Sequence, residues 1–493
     1  MSNSTVAVQA DTSFFGHPRG LATLFFTEMW ERYSYYGTRA LLILFMTAPA
    51  STGGLAFPTV KAGAIYGFYT AMVYLLCLGG GWVADRITGQ RRAVLYGGIF
   101  IAAGNFCLAA PSLMTFYVGL GLMMLGTGML KPNVSVIVGQ LYGPRDPRRD
   151  SGFSLFYMGI NLGALISPII CGLVGEKINW RLGFAVSGIG MVAGIIQYWW
   201  GSKYLGDAGL NPSTSGNAAR DRAQKRNGII AGAVAVASLL LLIALNSTGT
   251  IEITPTAISD GLGWVLLAIS AVAFYWLIFG KGWSTEERKR SVAILVLFVA
   301  EAIFWASFEQ AGSSLNLFGE RNTNRMLFGY QFPASWFQSV QPLFVISLAP
   351  VFALLWFNLG RREPSSPAKF TLGLIFGGLA FALMVPAAAA GTNVSPWWLV
   401  GCYLLQTLGE LCLSPIGLSA MTKLAPARAA GFVMGIWFLG TAIGNWLAGR
   451  AGSLFDSMPL PQLFGTVAVS ALIAAVVLAM LIKPTVKMMS GVK

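Results

Sequence analysis

Charge is scarce in this chain. Only 11 % of its 493 residues are charged, against 55 % hydrophobic. Soluble domains carry roughly 25 % charged residues, so a string of soluble domains is excluded and a membrane chain is indicated. Histidine is scarcer still. The single His17 precedes the first apolar run, which removes imidazole metal centres and imidazole proton relays from the interior. Proton chemistry inside must therefore use carboxylates. The five cysteines, Cys77, Cys107, Cys171, Cys402 and Cys412, are odd in number and lie within apolar runs. Neither a disulfide framework nor a CxxC zinc site is expected of them, and they read as small buried hydrophobes. No GxSxG, HExxH or GxxxxGKS occurs. Primary ATP-driven transport and the familiar hydrolytic centres thus have no support, and an enzyme, a metal site or a cofactor is not expected. Residues 1 to 20 are polar, without the regions of a cleaved signal, so the first helix is expected to stay as an anchor.

What the chain has in abundance is long apolar runs. Those long enough to span a bilayer, about 17 to 25 residues, lie at 21–48, 62–84, 93–111, 113–141, 152–175, 182–201, 229–245, 261–279, 291–318, 334–358, 370–390, 396–422, 430–449 and 462–482. They predict an all-α integral membrane protein of fourteen helices with both termini on one side. Of the 33 Lys and Arg, 24 then fall on the terminal side and 6 on the other (Lys61, Lys177, Arg181, Arg321, Arg325, Arg450). This bias makes the termini cytoplasmic, in a multi-pass protein of the cell (inner or plasma) membrane. The net charge of +14 is accounted for by those loops. Nucleic-acid binding would gather bases on one face among aromatics, and here they are spread over every second loop.

Ser202 to Asn227 is the longest polar segment, with Asn211-Pro212-Ser213-Thr214-Ser215-Gly216 at its centre, and reads as a cytoplasmic loop. The expected organisation is a six-helix bundle at 1–201, the loop at 202–228, an additional helix hairpin at 229–280 and a second six-helix bundle at 281–493. The spans of the hairpin carry no charge and are expected to face lipid at the periphery. Gly81-Trp-Val-Ala-Asp85-Arg86 with Gly89-Gln-Arg91-Arg92 resembles the cytoplasmic loop motif of the major facilitator superfamily, in which two six-helix halves enclose a site near the bilayer midplane. Asp85 and Arg86 are read as structural and gating residues there, with Asp85 pairing a nearby Arg or capping a helix end.

Charges inside the spans carry the functional information, because each costs roughly 2.5 to 3.5 kcal/mol at the bilayer centre on insertion scales. The first run holds Glu28, Glu31, Arg32 and Arg39, the fourth Lys131, the run 291–318 Glu301 and Glu309, and the run 396–422 Glu410. At 100 degrees per residue, positions 28, 31, 32, 35, 36 and 39 occupy an arc of about 140 degrees. Glu28, Glu31, Arg32, Tyr35, Tyr36 and Arg39 thus share a face that cannot look at lipid. The interior bases Arg32, Arg39 and Lys131 all belong to the first half, whereas the second half contributes only acids. A cavity between the halves should then be bipolar, suited to a zwitterion whose anionic end meets Arg or Lys and whose ammonium meets a carboxylate. Desolvated carboxylates can also hold a proton near neutrality, and Glu28, Glu31 and Glu309 are the expected carriers. Gly188-Ile-Gly190-Met-Val-Ala193 fits the loose GxGxxA pattern, but it lies inside an apolar helix, where helix packing is the better reading.

Glu28-Met-Trp-Glu31-Arg32-Tyr33-Ser-Tyr35-Tyr36-Gly37 resembles the ExxERFxYYG signature of the proton-dependent oligopeptide transporter (POT/PTR) family, with Tyr33 in place of Phe. Gly128-Met-Leu-Lys131-Pro132-Asn133, Phe156-Tyr157-Met-Gly-Ile160-Asn161-Leu-Gly163 and Phe304-Trp305-Ala-Ser-Phe308-Glu309-Gln310 are similar to its GxxKPN, FYxxINxG and FWxxxEQ segments. Gly409-Glu410-Leu411-Cys-Leu-Ser414-Pro415 and Gly435-Ile-Trp437-Phe438 extend the likeness over almost the whole chain. The resemblance implies a major facilitator fold with two extra helices, as in bacterial members, and proton-coupled import of di- and tripeptides. It implies that Arg32 and Lys131 receive the peptide carboxylate and that Glu410 with Asn161 receives the ammonium. Tyr35, Tyr36 and Tyr74 would contact peptide, with Arg39 and Ser414 beside them, and Trp305, Trp437 and Phe438 would line apolar side-chain pockets. Where the family has Asn before Pro, this chain has Gln341-Pro342, which puts direct ammonium contact at that position in doubt. The expected partners are di- and tripeptides, protons and lipid, with no metal and no nucleic acid. A monomer is the working expectation, the sequence leaving the oligomeric state open. The competing readings are a proton-coupled transporter of another small anion, for which Glu410 has no use, and a drug/proton antiporter, which the base set contradicts.

Overall fold

The computed structural model describes residues 11–143, 146–212, 218–250 and 252–489. Without water to satisfy peptide groups, an apolar run closes its hydrogen bonds within a helix. The first six runs form α1 (Arg19–Thr47), α2 (Thr59–Val83), α3 (Gln90–Ala109), α4 (Leu113–Gln140), α5 (Arg149–Lys177) and α6 (Trp180–Gly201). The intervening pair is α7 (Ala218–Ser247) and α8 (Pro255–Phe279). The remainder comprises α9 (Thr285–Phe308), α10 (Ser314–Arg321), α11 (Val340–Leu359), α12 (Ser366–Ala389), α13 (Trp397–Leu424), α14 (Ala430–Ser453) and α15 (Leu460–Met488), with a small hairpin of β1 (Met326–Leu327) and β2 (Tyr330–Gln331). Polar side chains set several starts. Ser112 caps α4 and Asn179 caps α6, while Ser284 and Glu287 form a reciprocal capping box at α9.

Twelve helices are long and apolar enough to be candidate spans among the described residues. α1 is not one of them, because every 18-residue stretch of it holds three or more charged residues. Its burial among protein neighbours makes that tolerable. α1 packs on α5 and α6, α3 on α4, and α12 on α13 and α15, giving two helical bundles.

Four expectations are corrected. The run 291–318 is not one helix: α9 ends at Phe308, a 3-10 turn covers Glu309–Gly312, and α10 restarts at Ser314. The break lets this stretch press on the first bundle, where a Cβ at Gly312 would lie 1.9 Å from the Tyr66 hydroxyl. Asp85 and Arg86 are not in a loop. They occupy a π-helical turn, Ala84–Thr88, continuing α2, and Asp85 accepts a hydrogen bond from Gln90 (2.7 Å) instead of pairing with Arg. The loop expected at 202–228 is shorter, since a 3-10 turn covers Ser202–Leu205 and α7 begins at Ala218; its centre at 213–217 lies outside the described residues. α8 is only half lipid-facing. Trp264 and Tyr275 are exposed, but Leu262, Leu266, Phe274 and Leu277 are buried, and the Trp446 indole donates to the Ser259 carbonyl at 2.8 Å. In α6, Gly188 lies against Asn105 and Gly190 against the Tyr33 ring, as helix packing requires.

The polar contacts joining the bundles cluster at the end away from the termini. The Glu176 carboxylate accepts the backbone N–H groups of Ala334 and Ser335, both at 2.8 Å. The Trp336 indole donates to the Ile169 carbonyl (3.1 Å) and Ser339 to that of Leu165 (2.7 Å). Asn316 donates to the Ala40 carbonyl (2.8 Å) and Ser453 to that of Val60 (3.2 Å). Glycines bring α2 and α14 into backbone contact there, since a Cβ at Gly449 would stand 2.2 Å from the Gly67 Cα. With no apolar driving force between helices in lipid, such close approach is what holds them. Gly449→Val should therefore destabilise this clasp by about 1 to 3 kcal/mol. Spin labels at Ser51 and Ser457 should report longer distances in the variant, and an unchanged distribution would contradict the role given to Gly449.

Candidate functional site

The α1 face lies inside the protein, with Glu28, Glu31, Arg32, Tyr35 and Arg39 all buried. Arg32 Nε stands 3.3 Å from Glu28 Oε1, one turn away, and pairs directly with Glu31 Oε2. One guanidinium is thus shared by two carboxylates, and it lies 5.0 Å from the centroid of the Tyr35 ring. Glu28 Oε2, Glu31 Oε1 and Arg32 Nη2 have no hydrogen-bond partner, so this cluster has unused capacity at both signs of charge.

Two turns along α1, Arg39 reaches across to the second bundle. Its Nη2 is 2.8 Å from Glu309 Oε2, and both side chains are about 5 % exposed or less. Nε donates to the Tyr66 hydroxyl at 2.9 Å, and Nη2 also reaches the Glu309 carbonyl at 3.4 Å. The helix break makes this possible by presenting carboxylate and carbonyl of the same residue to one guanidinium.

A cavity opens beside this pair, between the bundles. Tyr36, Arg39, Tyr74, Asn161 and Ala164 line it from the first bundle; Trp305, Phe308, Glu309, Ala311, Gln338, Gln341, Pro342, Val345 and Glu410 line it from the second. Four helices of widely separated sequence, α1, α2, α5 and α9, together with α11 and α13, converge here. Gln341 is part of the wall, and its Nε2 has no hydrogen-bond partner. Asn161 donates to the Tyr157 carbonyl one turn back (3.2 Å), which leaves its carbonyl oxygen available.

Other expected residues are not part of this wall. Lys131 Nζ sits 4.0 Å over the ring of the cavity-lining Tyr74 and is not itself among the lining residues. Arg32 and Tyr35 are likewise not among the lining residues. Ser414 is half-buried on α13, a turn beyond Glu410, and is not among the lining residues. Trp437 and Phe438, expected to line side-chain pockets, are not among the residues that line this cavity. Trp437 is buried in the core of the second bundle, with its ring 6.4 Å from that of Phe370. Gly417 makes the room, since a Cβ there would come within 1.9 Å of the indole. Phe438 packs against the same core.

Sequence reasoning missed Tyr66 and Gln338. Both had a signal. Tyr66 precedes Tyr74 by eight residues, which returns it to a similar face of α2, and Gln338 precedes Gln341 by three. The described residues contain no group of three or more His, Cys, Asp or Glu able to hold a metal ion.

Comparison with known proteins bears on the family and the fold. The POT family model matches residues 91–465. A peptide transporter, YePEPT, of Yersinia enterocolitica subsp. palearctica is 42 % identical over 97 % of this chain and 96 % of its own length. A di-/tripeptide transporter of Lactococcus lactis subsp. cremoris is 38 % identical over 98 % of this chain and 99 % of its own. Among solved structures, a peptide transporter POT in complex with sulfate superposes with a TM-score of 0.92 at 41 % identity, covering 98 % of both chains. With a helical fold of two bundles, charged residues meeting between them, and matches spanning nearly its full length, this chain is a multi-pass membrane protein of the POT family.

Proposed function

We propose that the chain is a proton-coupled symporter that imports di- and tripeptides by alternating access. The observation that carries this reading is the pair of opposite charges left uncompensated about one cavity. Arg39 and Glu309 neutralise each other, and Arg32 is shared by Glu28 and Glu31. Glu410 on the second-bundle wall and Lys131 over the Tyr74 ring are in no ion pair among the described residues. A peptide zwitterion supplies both missing partners: ammonium towards Glu410 and Asn161, carboxylate towards Lys131 and Arg32 once Tyr74 moves aside. A simple anion would leave Glu410 unused. Termini are common to all short peptides, so recognition by fixed charges tolerates varied side chains and selects for length. Tyr36, Tyr74 and Trp305 then serve as the surfaces for the peptide body.

The proton follows from charge balance. Around the site stand four acids, Glu28, Glu31, Glu309 and Glu410, and three bases, Arg32, Arg39 and Lys131. The set is neutral when one proton is bound, and a buried set favours neutrality. The peptide carboxylate competes with Glu31 for Arg32, which makes Glu31 easier to protonate. A proton on Glu309 frees Arg39, the bond that ties α1 to the broken helix at the clasped end. Protonation thus loosens that end, and deprotonation after release to the other side restores it. A proton entering down 100 mV supplies about 2.3 kcal/mol, enough for roughly fiftyfold accumulation of a neutral peptide at one proton each.

The test is uptake of a labelled dipeptide into proteoliposomes under an inwardly directed proton gradient. Unlabelled dipeptide should compete and free amino acid and tetrapeptide should not. Competition by the single amino acid equal to that by the dipeptide would remove the two-ended grip.

A further inference from the structure

The hairpin between α10 and α11 pairs Met326 with Gln331 and Leu327 with Tyr330, which leaves a loop of two residues. Phe328 and Gly329 fill it, both at positive φ (49° and 80°). Such a turn favours Asn-Gly, because a bulky side chain is strained in the left-handed region. Here the strained position carries a phenyl ring that is fully exposed, and Met326 and Leu327 beside it are more than half exposed. No residue from 326 to 331 is charged. A contiguous apolar tip of this kind marks contact with a membrane or with another protein.

A surface groove of about 270 Å³ decides between the two. Leu327 of the hairpin lines it together with Phe332, Trp336, Val340, Trp397 and Val400. Val340 and Val400 lie six and three residues inside the candidate spans Ala334–Leu359 and Trp397–Leu424, so the groove runs from the hairpin into the apolar layer, where a soluble partner cannot follow. Trp336 and Trp397 belong to the residue type enriched where bilayer meets water. Beside the hairpin stands a cation. Lys177, exposed at the end of α5, has its Nζ 5.5 Å from the centroid of the Tyr330 ring, which in turn is 6.4 Å from that of Trp336. Lys177 is in no ion pair among the described residues, the adjacent Glu176 being taken by Arg325 and by the backbone of Ala334 and Ser335. Ammonium, interfacial rings and apolar trough follow one another in the order of phosphate, glycerol region and acyl chain. We propose that the hairpin Met326–Gln331 and its groove form a seat for one phospholipid, with the phosphate against Lys177, an acyl chain in the groove and Phe328 inserted into the same leaflet. The seat adjoins the clasp, since Arg325 reaches Glu176 at 3.5 Å and its carbonyl accepts from Phe332 N–H at 2.9 Å.

Two measurements on the full-length protein test this, and neither depends on transport. In phosphatidylglycerol vesicles, a nitroxide at Phe328→Cys should collide more often with oxygen than with a water-soluble nickel chelate, the reverse of one at Ser51→Cys in the exposed turn after α1. The unaltered protein, whose five cysteines are buried or half-buried, serves as the labelling blank. A label at 328 as accessible from water as that at 51 would overturn the insertion. Spectral broadening at 328 that grows with the ratio of protein to lipid would overturn it in favour of contact between copies. In native mass spectra of detergent-purified protein with added phosphatidylglycerol, Lys177→Gln should lower the retention of one lipid by about fivefold, the order of a single Lys–phosphate attraction. Leu327→Asn should lower it as well, through the groove instead of the charge, while Lys61→Gln on α2 should leave it unchanged. Full retention in both Lys177→Gln and Leu327→Asn would overturn the seat, and so would an equal loss in Lys61→Gln, which would show attraction by charge anywhere on that end.

Discussion

Replacing Glu410 by Gln should lower the uptake efficiency of unmodified dipeptides by about 30- to 150-fold. The figure corresponds to about 2 to 3 kcal/mol for a hydrogen bond to a charged group shielded from water. Glu410 stands on the cavity wall without an ion-pair partner among the described residues, so its charge is available to a ligand and is spent on nothing else. The amide keeps the size and one acceptor oxygen but offers no charge to an ammonium group. A dipeptide with an acetylated amino terminus, which has no ammonium to lose, should be transported poorly by both proteins and should not distinguish them. The measurement is initial uptake at several peptide concentrations. Full uptake of unmodified dipeptide by the variant would remove the ammonium assignment.

Replacing Glu309 by Gln should separate proton coupling from peptide movement. The amide stands for the protonated acid and cannot release its proton, so the 2.8 Å ion pair with Arg39 is permanently absent. Gradient-driven uptake should fall by about tenfold or more, since loss of a buried charge partner is worth several kcal/mol. Exchange of labelled for unlabelled peptide at equal pH on both sides needs no net proton transfer and should fall much less. Stimulation of uptake by an acidic outer medium should also flatten, because the group that must gain a proton there is already neutral. An equal loss in both assays would count against a coupling role and point to a defect in binding.

The contrast between these two acids indicates how far reasoning from residues reaches. The expectation that Glu410 and Glu309 are functional rests on the cost of placing a carboxylate inside a span, which is a local matter of composition. That one is paired and the other is not does not follow, because the partner of Glu309 lies 270 residues away in sequence. Arg32 is the opposite case. Its partners are one and four residues away on the same helix, and helical geometry alone brings them together. Trp437 and Trp305 show the same division. Both are aromatics near charged or glycine-rich motifs, yet a single glycine, Gly417, draws one into the core, and nothing in the pattern of α14 foretells that.

Fold class, the apolar runs, the polarity of bases in one half and acids in the other, and the shared face of α1 were determined by sequence alone. Each depends on quantities that act over a few residues: hydropathy against bilayer thickness, the 100-degree step of the helix, and the price of a buried charge. Tertiary structure decided the rest. It broke the helix at Glu309, joined Arg39 to that break, set Lys131 over the ring of Tyr74, and clasped the bundles at the end away from the termini. These outcomes depend on how closely backbones approach and which side chain reaches a site first, and such contest between distant segments is settled only when the helices pack.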